Sequence, residues 1–263
     1  MEKIVNETNF KQWSTVSETY HDIRPVPPEI IIKTILSWLR KKPDTVVDVG
    51  CGTGLSTTIW KDTANEVIGV EPNDEMRETA EKNVDLGHVV FTKGFSNELN
   101  LTSESADIIT VSQAFHWFDI DSTLLEFHRV LKADGVLAIY DFTLPPIFDW
   151  EIEKSFLALR KKCSEIYYAG KNPPVRNDKR KYHDRIKAFG KFRHSREVLC
   201  HGVERYTVQR AMDFILNISN APFAMEMDAT IKKDVDRLCD LIQQECGDEF
   251  EIIFPYTMVM AVK

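Results

Sequence analysis

The stretch "VVDVGCGTGLST", residues 46–57, places a short valine-rich run directly before three glycines at every second position. A run of this kind favours a buried β-strand, and the residues after the glycines are expected to open a helix. A strand that ends at a helix N-terminus exposes unpaired backbone N–H groups and a partial positive charge. Glycines at such a turn let a ligand approach the backbone closely. The stretch therefore predicts a ligand-binding loop formed by Gly50, Cys51, Gly52, Thr53 and Gly54.

The segments around this loop alternate between strand and helix patterns up to residue 142. Helices are predicted in "EIIIKTILSWLRKK" (29–42), from Leu55 onward, after an Asn73 N-cap, and from an Asp121 N-cap to a stop at Gly135. Strands separated by helices of this length form a parallel sheet that is covered on both faces. The predicted strands are "TVVDV" (45–49), "EVIGV" (66–70), "HVVFTKG" (88–94), "ADIITVSQ" (106–113) and "VLAIYDF" (136–142).

Two further strand patterns lie near the end of the chain, within residues 196–203 and 250–263. We expect them to complete a doubly wound, seven-stranded α/β sheet. The last strand is predicted to run antiparallel and to enter beside the fifth as a hairpin with the sixth. The chain then divides into an N-terminal lid with most of the ligand-binding core (1–144), a helical insertion (145–196), and the remainder of the core (197–263).

The composition indicates the compartment and excludes some partners. The chain has 263 residues, 43% of them hydrophobic, and a net charge of −8, which argues against a general nucleic-acid binder. Its start resembles no signal peptide, and no apolar run is long enough to span a membrane. Its five scattered cysteines include no Cys-x-x-Cys pair. We therefore expect a cytoplasmic protein without a membrane contact or a metal site.

Two acidic residues near the glycines indicate which ligand the loop binds. Asp48 precedes the loop and is placed to meet a ligand ammonium group, whereas Glu71 follows the second strand and suits the two hydroxyls of a ribose. A dinucleotide motif requires its third glycine at position 55, where this chain has Leu55, so a dehydrogenase is disfavoured. A ligand with a ribose, an amino group and a carboxylate fits the layout, and S-adenosylmethionine has all three.

The motifs resemble those of the class I S-adenosylmethionine-dependent methyltransferases. "VVDVGCGTG" is similar to their first motif, and "VIGVEPNDEM" is similar to the second. "TKGFSNEL" resembles the segment that lines the adenine pocket, and "VLKADGVLAIYDF" resembles the helix, turn and fifth strand. "ADIITVSQAFHWFD" resembles a subgroup that contains small-molecule methyltransferases of the trans-aconitate type. The resemblance implies a Rossmann-like fold and S-adenosyl-L-methionine as the cofactor.

The resemblance also implies which residues bind the cofactor. The segment "ETYHDIRPVPP" is similar to a Y-x-x-x-R-P segment that covers the cofactor in that subgroup, and it makes Tyr20 and Arg24 candidates for a mobile lid. Besides these two and the loop residues, the candidates are Asp48, Glu71, Pro72, Met76, Phe95, Ser96, Gln113 and Ala114.

His116 and Trp117 follow the fourth strand, where the methyl donor and the acceptor are expected to meet. Histidine titrates near neutral pH, so His116 is a candidate general base. The alternative is structural: Phe115, Trp117 and Phe118 pack as a local plug, and His116 bonds to nearby backbone. A base is not required by every acceptor, since a carboxylate needs none. Both roles stay open at this point.

The insertion contains the clearest indication of the acceptor. Residues 171–196 hold ten Lys or Arg against two acids, a local balance of +8, so the rest of the chain carries −16. The segment is either a solvated helix face, an electropositive lid that attracts an anionic substrate, or a nucleic-acid contact. Arg176, Arg180 and Arg185 are the candidate substrate residues within it.

Three functions compete on this evidence. The first is a methyltransferase that acts on a small molecule, such as a carboxylate. The second is an RNA or protein methyltransferase that docks its substrate on the basic segment 171–196. The third is a protein that binds S-adenosylmethionine without transferring its methyl group. The sequence favours the first, and it leaves the acceptor and the oligomeric state open.

Overall fold

The computed structural model describes residues 23–84, 86–170 and 175–263. Seven strands form one sheet in the order β3-β2-β1-β4-β5-β7-β6. The first five pair in parallel, and β7 lies antiparallel between β5 and β6. The strands are β1 (Thr45–Val49), β2 (Glu66–Val70), β3 (Val89–Thr92), β4 (Ala106–Ser112), β5 (Leu131–Phe142), β6 (His194–Thr207) and β7 (Glu249–Val262).

This arrangement confirms the predicted sheet, including the antiparallel last strand beside the fifth. The valine-rich strands form its centre because both of their faces are covered: Val46 packs into one hydrophobic cluster and Val47 into the cluster on the opposite side. Buried strands of this kind are typical of parallel sheets between two helical layers. The order reverses at β1, so the carboxyl ends of β1 and β4 diverge into a crevice. Open α/β sheets bind ligands at such a point.

Helices cover both faces of the sheet. Hydrophobic side chains of α1, α5, α7, α8 and α9 join one cluster, and those of α4 and α6 join the other. The helices are α1 (Glu29–Leu39), α2 (Leu55–Thr58), α3 (Asp74–Asn83), α4 (Ile120–Val130), α5 (Trp150–Tyr167), α6 (Tyr182–Phe189), α7 (Val208–Ser219), α8 (Ala221–Met227) and α9 (Thr230–Cys246). Within the described part of the chain, no helix is long and apolar enough to cross a bilayer.

The structure confirms one predicted helix boundary and corrects three. Asn73 caps α3, since its side chain accepts the Met76 N–H at 2.9 Å. The cap of α4 is Asp119 and not Asp121, because it is the Asp119 carboxylate that accepts backbone N–H groups of the first turn. Helix α4 ends at Val130, and the chain enters β5 at once, so Gly135 lies in a strand and ends no helix. Helix α2 has only four residues.

The early start of β5 has a local cause. Its pairing with β4 jumps from Leu131 opposite Ala106 to Val136 opposite Ile108, so the residues between form a bulge. Asp134 has a positive φ of 65° within this bulge. A bulge adds residues to one strand and resembles a helix-stop turn in sequence. Gly135 and the Asp134 before it therefore mark an irregular strand.

Candidate active site

The glycine loop closes over the ends of β1 and β2. The backbone N–H groups of Gly50 and Cys51 both donate to the Val70 carbonyl, at 2.8 and 3.2 Å. Gly50, Gly52 and Gly54 have φ angles of +72°, +56° and +83°, a region that other residues enter at a cost. The loop thus needs glycine for its backbone path, and it runs directly into α2.

The three glycines differ in what their missing side chains leave room for. A Cβ at Gly50 would lie 2.6 Å from the Ala114 Cβ, and one at Gly54 would lie 2.9 Å from the Phe91 ring. A Cβ at Gly52 would meet only the terminal methyl of Met76, at 3.7 Å. Protein packing therefore requires the first and third glycines, whereas Gly52 faces open space. That space is a cavity.

The cavity has a volume of about 640 Å³, and typical small-ligand sites span roughly 300–1,000 Å³. It extends from the glycine loop to the ends of β4 and β5 and is bounded on the far side by α5 and residues 176–179. Its loop end is lined by Gly50, Cys51, Gly52, Thr53, Glu71, Pro72, Met76, Phe95, Ser96, Gln113 and Ala114. The structure thus brings these predicted cofactor residues together around one cavity.

Glu71 is the buried carboxylate at this end. One oxygen accepts the Gly52 N–H at 3.0 Å, and the other accepts the Asn73 N–H at 2.9 Å. Burial raises the pKa of Glu71 to about 7, against the lowering effect of those two hydrogen bonds. Each oxygen retains a lone pair, so the ionised carboxylate is able to accept two hydroxyl donors from a ligand.

An unpaired polar atom at the loop end also suits a bound adenosyl group. The hydroxyl of Thr53 is buried and has no hydrogen-bond partner in the described structure, although Thr53 lines the cavity. Buried polar atoms are rarely left unpaired, so a ligand is expected to supply the partner. Together with the open space at Gly52 and the free lone pairs of Glu71, this atom fits S-adenosylmethionine. Ser96, which was predicted to contact the adenine, is held at this end of the cavity by a 2.7 Å hydrogen bond with Thr123.

Two predicted cofactor residues lie away from the cavity wall. Asp48 is fully buried, and its carboxylate accepts hydrogen bonds from the hydroxyls of Ser56, Thr57 and Thr110 at 2.7–2.9 Å. It fastens the loop and α2 to β4 and leaves no oxygen turned to a ligand ammonium. Gly54 packs against Phe91 and is likewise absent from the cavity wall. The structure therefore places neither residue at the wall where the predicted direct contact would form.

Arg24 and Tyr20 were predicted to form a lid over the cofactor. Arg24 lines the cavity; its guanidinium lies 5.8 Å from the centre of the Phe142 ring and 3.5 Å from the Asn217 side-chain oxygen. Tyr20 lies outside the described residues. The lid motion stays a prediction.

His116 faces the cavity from a short helical turn after β4 (Phe115–Trp117). Burial and the charges of Lys179, Arg176 and Arg24 lower its pKa to about 2, so the ring is neutral at physiological pH. Its Nδ1 is buried without a hydrogen-bond partner among the residues described. The side chain is therefore available to a ligand as a neutral hydrogen-bond partner.

The insertion is fastened to this turn and to β5. The Asn177 side chain donates to the Phe118 carbonyl at 2.8 Å, and its backbone N–H donates to the His116 carbonyl at 2.9 Å. Lys179 donates to Asp141 at 2.9 Å and to Gln113 at 3.0 Å. These contacts fix residues 176–179 as one wall of the cavity.

Two arginines give the acceptor end of the cavity its charge. Arg176 lies 4.4 Å from the centre of the Trp117 ring, and Arg160 projects from α5 into the same region. Burial and the nearby Arg176 charge lower the pKa of Arg160. No carboxylate of the described residues forms an ion pair with either guanidinium. Nothing in the sequence marks Arg160 as a site residue, since it lies within a charged helix and only the fold brings it to the cavity.

The other two predicted substrate arginines lie outside the cavity. Arg180 pairs with Asp178 at 2.8 Å, and Arg185 pairs with Asp121 at 2.6 Å. Neither contributes to the cavity wall. The charge of the basic segment is thus partly neutralised by acids of the chain itself, and Arg176 is the predicted substrate arginine that the fold places at the site.

Comparison with known proteins assigns the region that carries this site. Residues 47–139 match the family model described as "Methyltransferase domain". This stretch, about a third of the chain, is thus similar to a methyltransferase domain. The matched residues include the glycine loop, Glu71, most of the parallel strand β1, and the parallel strands β2 and β4.

Relatives of the methyltransferase domain are known from several organisms. A Dictyostelium discoideum protein with the name of a methyltransferase is 32% identical over 136 residues, which cover 52% of this chain and 51% of that protein. A ubiquinone/menaquinone biosynthesis C-methyltransferase of Campylobacter jejuni is 27% identical over 200 residues, 73% of this chain and 75% of the relative. The chain thus spans about half the length of the first relative and about three quarters of the second.

The fold is also found among solved structures. A type II methyltransferase structure from Anaeromyxobacter dehalogenans superposes with a TM-score of 0.69 at 17% identity. The superposition covers 91% of this chain and 97% of the other. At this identity the likeness concerns the fold alone, and it extends well beyond residues 47–139.

Proposed function

We propose that this protein is an S-adenosylmethionine-dependent methyltransferase that methylates a small anionic acceptor, such as a carboxylate, within the cavity. The observation that carries the proposal is the pair of arginines, Arg160 and Arg176, at the end opposite Glu71. Guanidinium groups that lack an internal carboxylate partner are suited to bind a carboxylate with two parallel hydrogen bonds. The resemblance of "ADIITVSQAFHWFD" to the trans-aconitate type supports the same acceptor class.

The shape of the site favours a small molecule over a polymer. The cavity adjoins the cofactor loop and is bounded by α5 and residues 176–179, whereas an RNA or protein substrate needs an open groove. Lys179, Arg180 and Arg185 are each paired with an acid of the chain, which weakens a basic docking surface. The Campylobacter relative is named for quinone biosynthesis, which also supports a small acceptor. The space beside the cofactor end argues against a binding protein without transfer.

The residues of the chain would act mainly by alignment. The cofactor, when bound, supplies an activated methyl group, and displacement requires the acceptor atom to approach from the opposite side in line. Glu71 and the Gly52 backbone would fix one partner, while Arg160 and Arg176 would orient the other. Alignment of this kind contributes up to roughly 7–11 kcal/mol to a reaction barrier. The hydrophobic wall formed by Trp117 and Phe142 would exclude water from the same space.

His116 would serve as a neutral hydrogen-bond partner. Since its pKa of about 2 makes it a weak base in the ligand-free protein, proton removal is not expected from it. A carboxylate acceptor is already ionised at neutral pH and needs no base. The neutral histidine and an anionic acceptor are therefore mutually consistent.

Turnover with methyl-labelled S-adenosylmethionine against panels of small carboxylic acids, phenols and amines tests this proposal. We expect product from acids, and we expect Arg160→Met to form it more slowly at acid concentrations below the KM while cofactor binding persists. Product from amines or phenols alone would refute the anionic acceptor. The same assay is run with RNA and protein substrates. Saturable cofactor binding without turnover on any of these substrates would support the non-catalytic alternative.

A further inference from the structure

Strand β6 forms an edge of the sheet, with β7 on one side and no strand on the other in the described structure. From Val198 to Tyr206 the even-numbered residues pack toward the core, while the odd-numbered ones from Glu197 to Arg205 face solvent. Leu199 is 75% exposed and Val203 is 49% exposed, values that are high for strand residues with apolar side chains. The exposed face consists of Glu197, Leu199, His201, Val203 and Arg205.

The backbone N–H and C=O groups of these odd-numbered residues point away from β7. His201 lies opposite Pro255, which has no N–H and whose carbonyl accepts from Thr143 on the far side of β7. Val203 lies opposite Ile253, which exchanges hydrogen bonds with Ile147 on that same far side. Because N–H and C=O groups alternate along antiparallel strands, the odd-numbered residues of 197–205 turn theirs to the free edge. The Arg205 carbonyl there also accepts a hydrogen bond from the Arg210 guanidinium at 3.1 Å. This edge is a template for another strand.

The odd-numbered face is complementary to itself. If two copies of β6 pair antiparallel with His201 opposite its own symmetry mate, Glu197 lies opposite Arg205 of the second copy. Leu199 then lies opposite Val203, and both matches recur on the other side of the two-fold axis. Opposite charges and apolar pairs that face each other stabilise antiparallel strands. We propose that the protein forms a symmetric dimer through β6, which joins the two sheets into one.

Other registers lack this match. A register that pairs odd-numbered with even-numbered residues sets edge-facing N–H and C=O groups opposite residues whose own N–H and C=O groups point toward β7. The two strands then form no continuous set of hydrogen bonds. The two nearest registers that keep odd residues paired place His201 opposite Leu199 or opposite Val203. They leave the Glu197 and Arg205 charges without an opposite charge across the axis. Among these three registers, the charges therefore favour the first.

The proposed surface is separate from the cavity. None of the five odd-numbered residues lines the cavity, so the dimer adds an interaction to the proposed activity and does not depend on it. Within the described structure, neither Glu197 nor Arg205 has an ion-pair partner in its own chain. Charges that served only to keep the edge from pairing would not need to be complementary across a two-fold axis. A protein that stays monomeric would support this alternative.

Sedimentation velocity of the full chain over a range of concentrations tests the dimer. We expect concentration-dependent dimers, and we expect Glu197→Arg and Arg205→Glu each to raise the dimer Kd at least ~10-fold, since like charges then face each other. The double variant E197R/R205E restores the opposite pairs and should recover the Kd to within about threefold of the wild type. Glu78→Arg, an equal charge reversal on exposed α3, is the matched control and should leave the Kd unchanged.

Each other result overturns the proposal. A protein that stays monomeric at all concentrations would show that the edge charges prevent pairing. A dimer that ignores both single reversals would use another surface, and a double variant that fails to recover would exclude this register. Circular dichroism of every variant distinguishes a lost contact from a lost fold, and the side chains concerned are exposed.

Discussion

The carboxylate of Glu71 accepts the backbone N–H of Gly52 at 3.0 Å. The acid at the end of β2 therefore supports the loop that follows β1, and the two form one unit. A ligand that bonds to Glu71 lies beside the glycine that has open space at its Cα. Loss of the carboxylate is expected to affect both the ligand contact and the position of the loop.

Glu71→Ala should weaken S-adenosylmethionine binding about 10- to 100-fold. Charged hydrogen bonds contribute ~1.5–3 kcal/mol, and the variant removes the acceptor of the ligand hydroxyls. Calorimetric titration measures the effect, and Glu78→Gln on the exposed face of α3 is the control. Unchanged affinity in Glu71→Ala would refute the ribose contact.

Binding of S-adenosylmethionine should depend on pH through Glu71. The ionised carboxylate is the better hydroxyl acceptor, and its pKa is about 7 in the free protein. As the pH falls below about 7, affinity should decline by up to tenfold per unit, and binding should release a proton. Titration at pH 6 in two buffers of different ionisation enthalpy measures that release. A proton count of zero would contradict the assignment.

The free energy of unfolding of the ligand-free protein should fall as the pH rises, whereas the affinity for S-adenosylmethionine should rise. A carboxyl with a raised pKa in the folded state contributes stability below its unfolded pKa of about 4.5 and loses it as the pH rises to about 7. The loss amounts to at most about 3 kcal/mol. Glu71→Gln should remove this dependence in urea unfolding, and a pH profile equal to that of the wild type would contradict the prediction.

Gly50→Ala and Gly52→Ala should separate stability from binding. Both place a side chain at positive φ, at a cost of roughly 1–2 kcal/mol. At Gly50 the new Cβ also meets Ala114, which adds about 1–3 kcal/mol of overpacking. At Gly52 it fills ligand space, so affinity for S-adenosylmethionine should fall with less loss of stability. Equal unfolding midpoints in the two variants would refute the distinction.

Arg160→Met and Arg176→Met should each raise the acceptor KM about tenfold or more with S-adenosylmethionine affinity unchanged. Arg180→Met and Arg185→Met are matched controls, because these arginines pair with Asp178 and Asp121 outside the cavity. Steady-state kinetics on an accepted substrate measure the difference. If all four variants behave alike, the acceptor end of the cavity does not bind the anion.

Asp48→Ala should destabilise the protein by several kcal/mol, because three buried hydroxyls lose their common acceptor. Asp48→Asn keeps one acceptor oxygen and should lose less. Urea unfolding gives both values. A variant that unfolds like the wild type but fails to bind the cofactor would return Asp48 to a direct ligand role.

The sequence predicted the sheet well because each buried strand is a short β-branched run between helix patterns. It placed the end of α4 wrongly because a bulge before β5 uses the same residue types as a helix stop. Both the order of β5, β7 and β6 and the antiparallel direction of β7 followed from the fold class that the motifs imply. The bounds of β6 were set too narrowly, since the residues at its two ends, 194–195 and 204–207, are mostly polar.

The cofactor end of the site was largely predictable because its residues follow neighbouring strand ends. Asp48 was misplaced because strands buried on both faces give no sign of the direction in which a side chain points. At the acceptor end, Arg176 was found among charges and Arg160 was missed. Long-range folding decides which cation of a charged segment reaches a cavity and which one pairs with a surface acid.

The different surroundings of the three glycines bear on how such motifs are used to infer activity. Gly50 and Gly54 are required by neighbouring side chains whether or not a ligand is ever bound. A descendant of this chain that had lost its chemistry would therefore keep two of the three as long as it folded. At the middle position only the positive φ would still favour glycine, so selection there would be weaker. A substitution at the position of Gly52 in an otherwise intact motif would mark a degenerate, non-binding copy that a motif search still accepts.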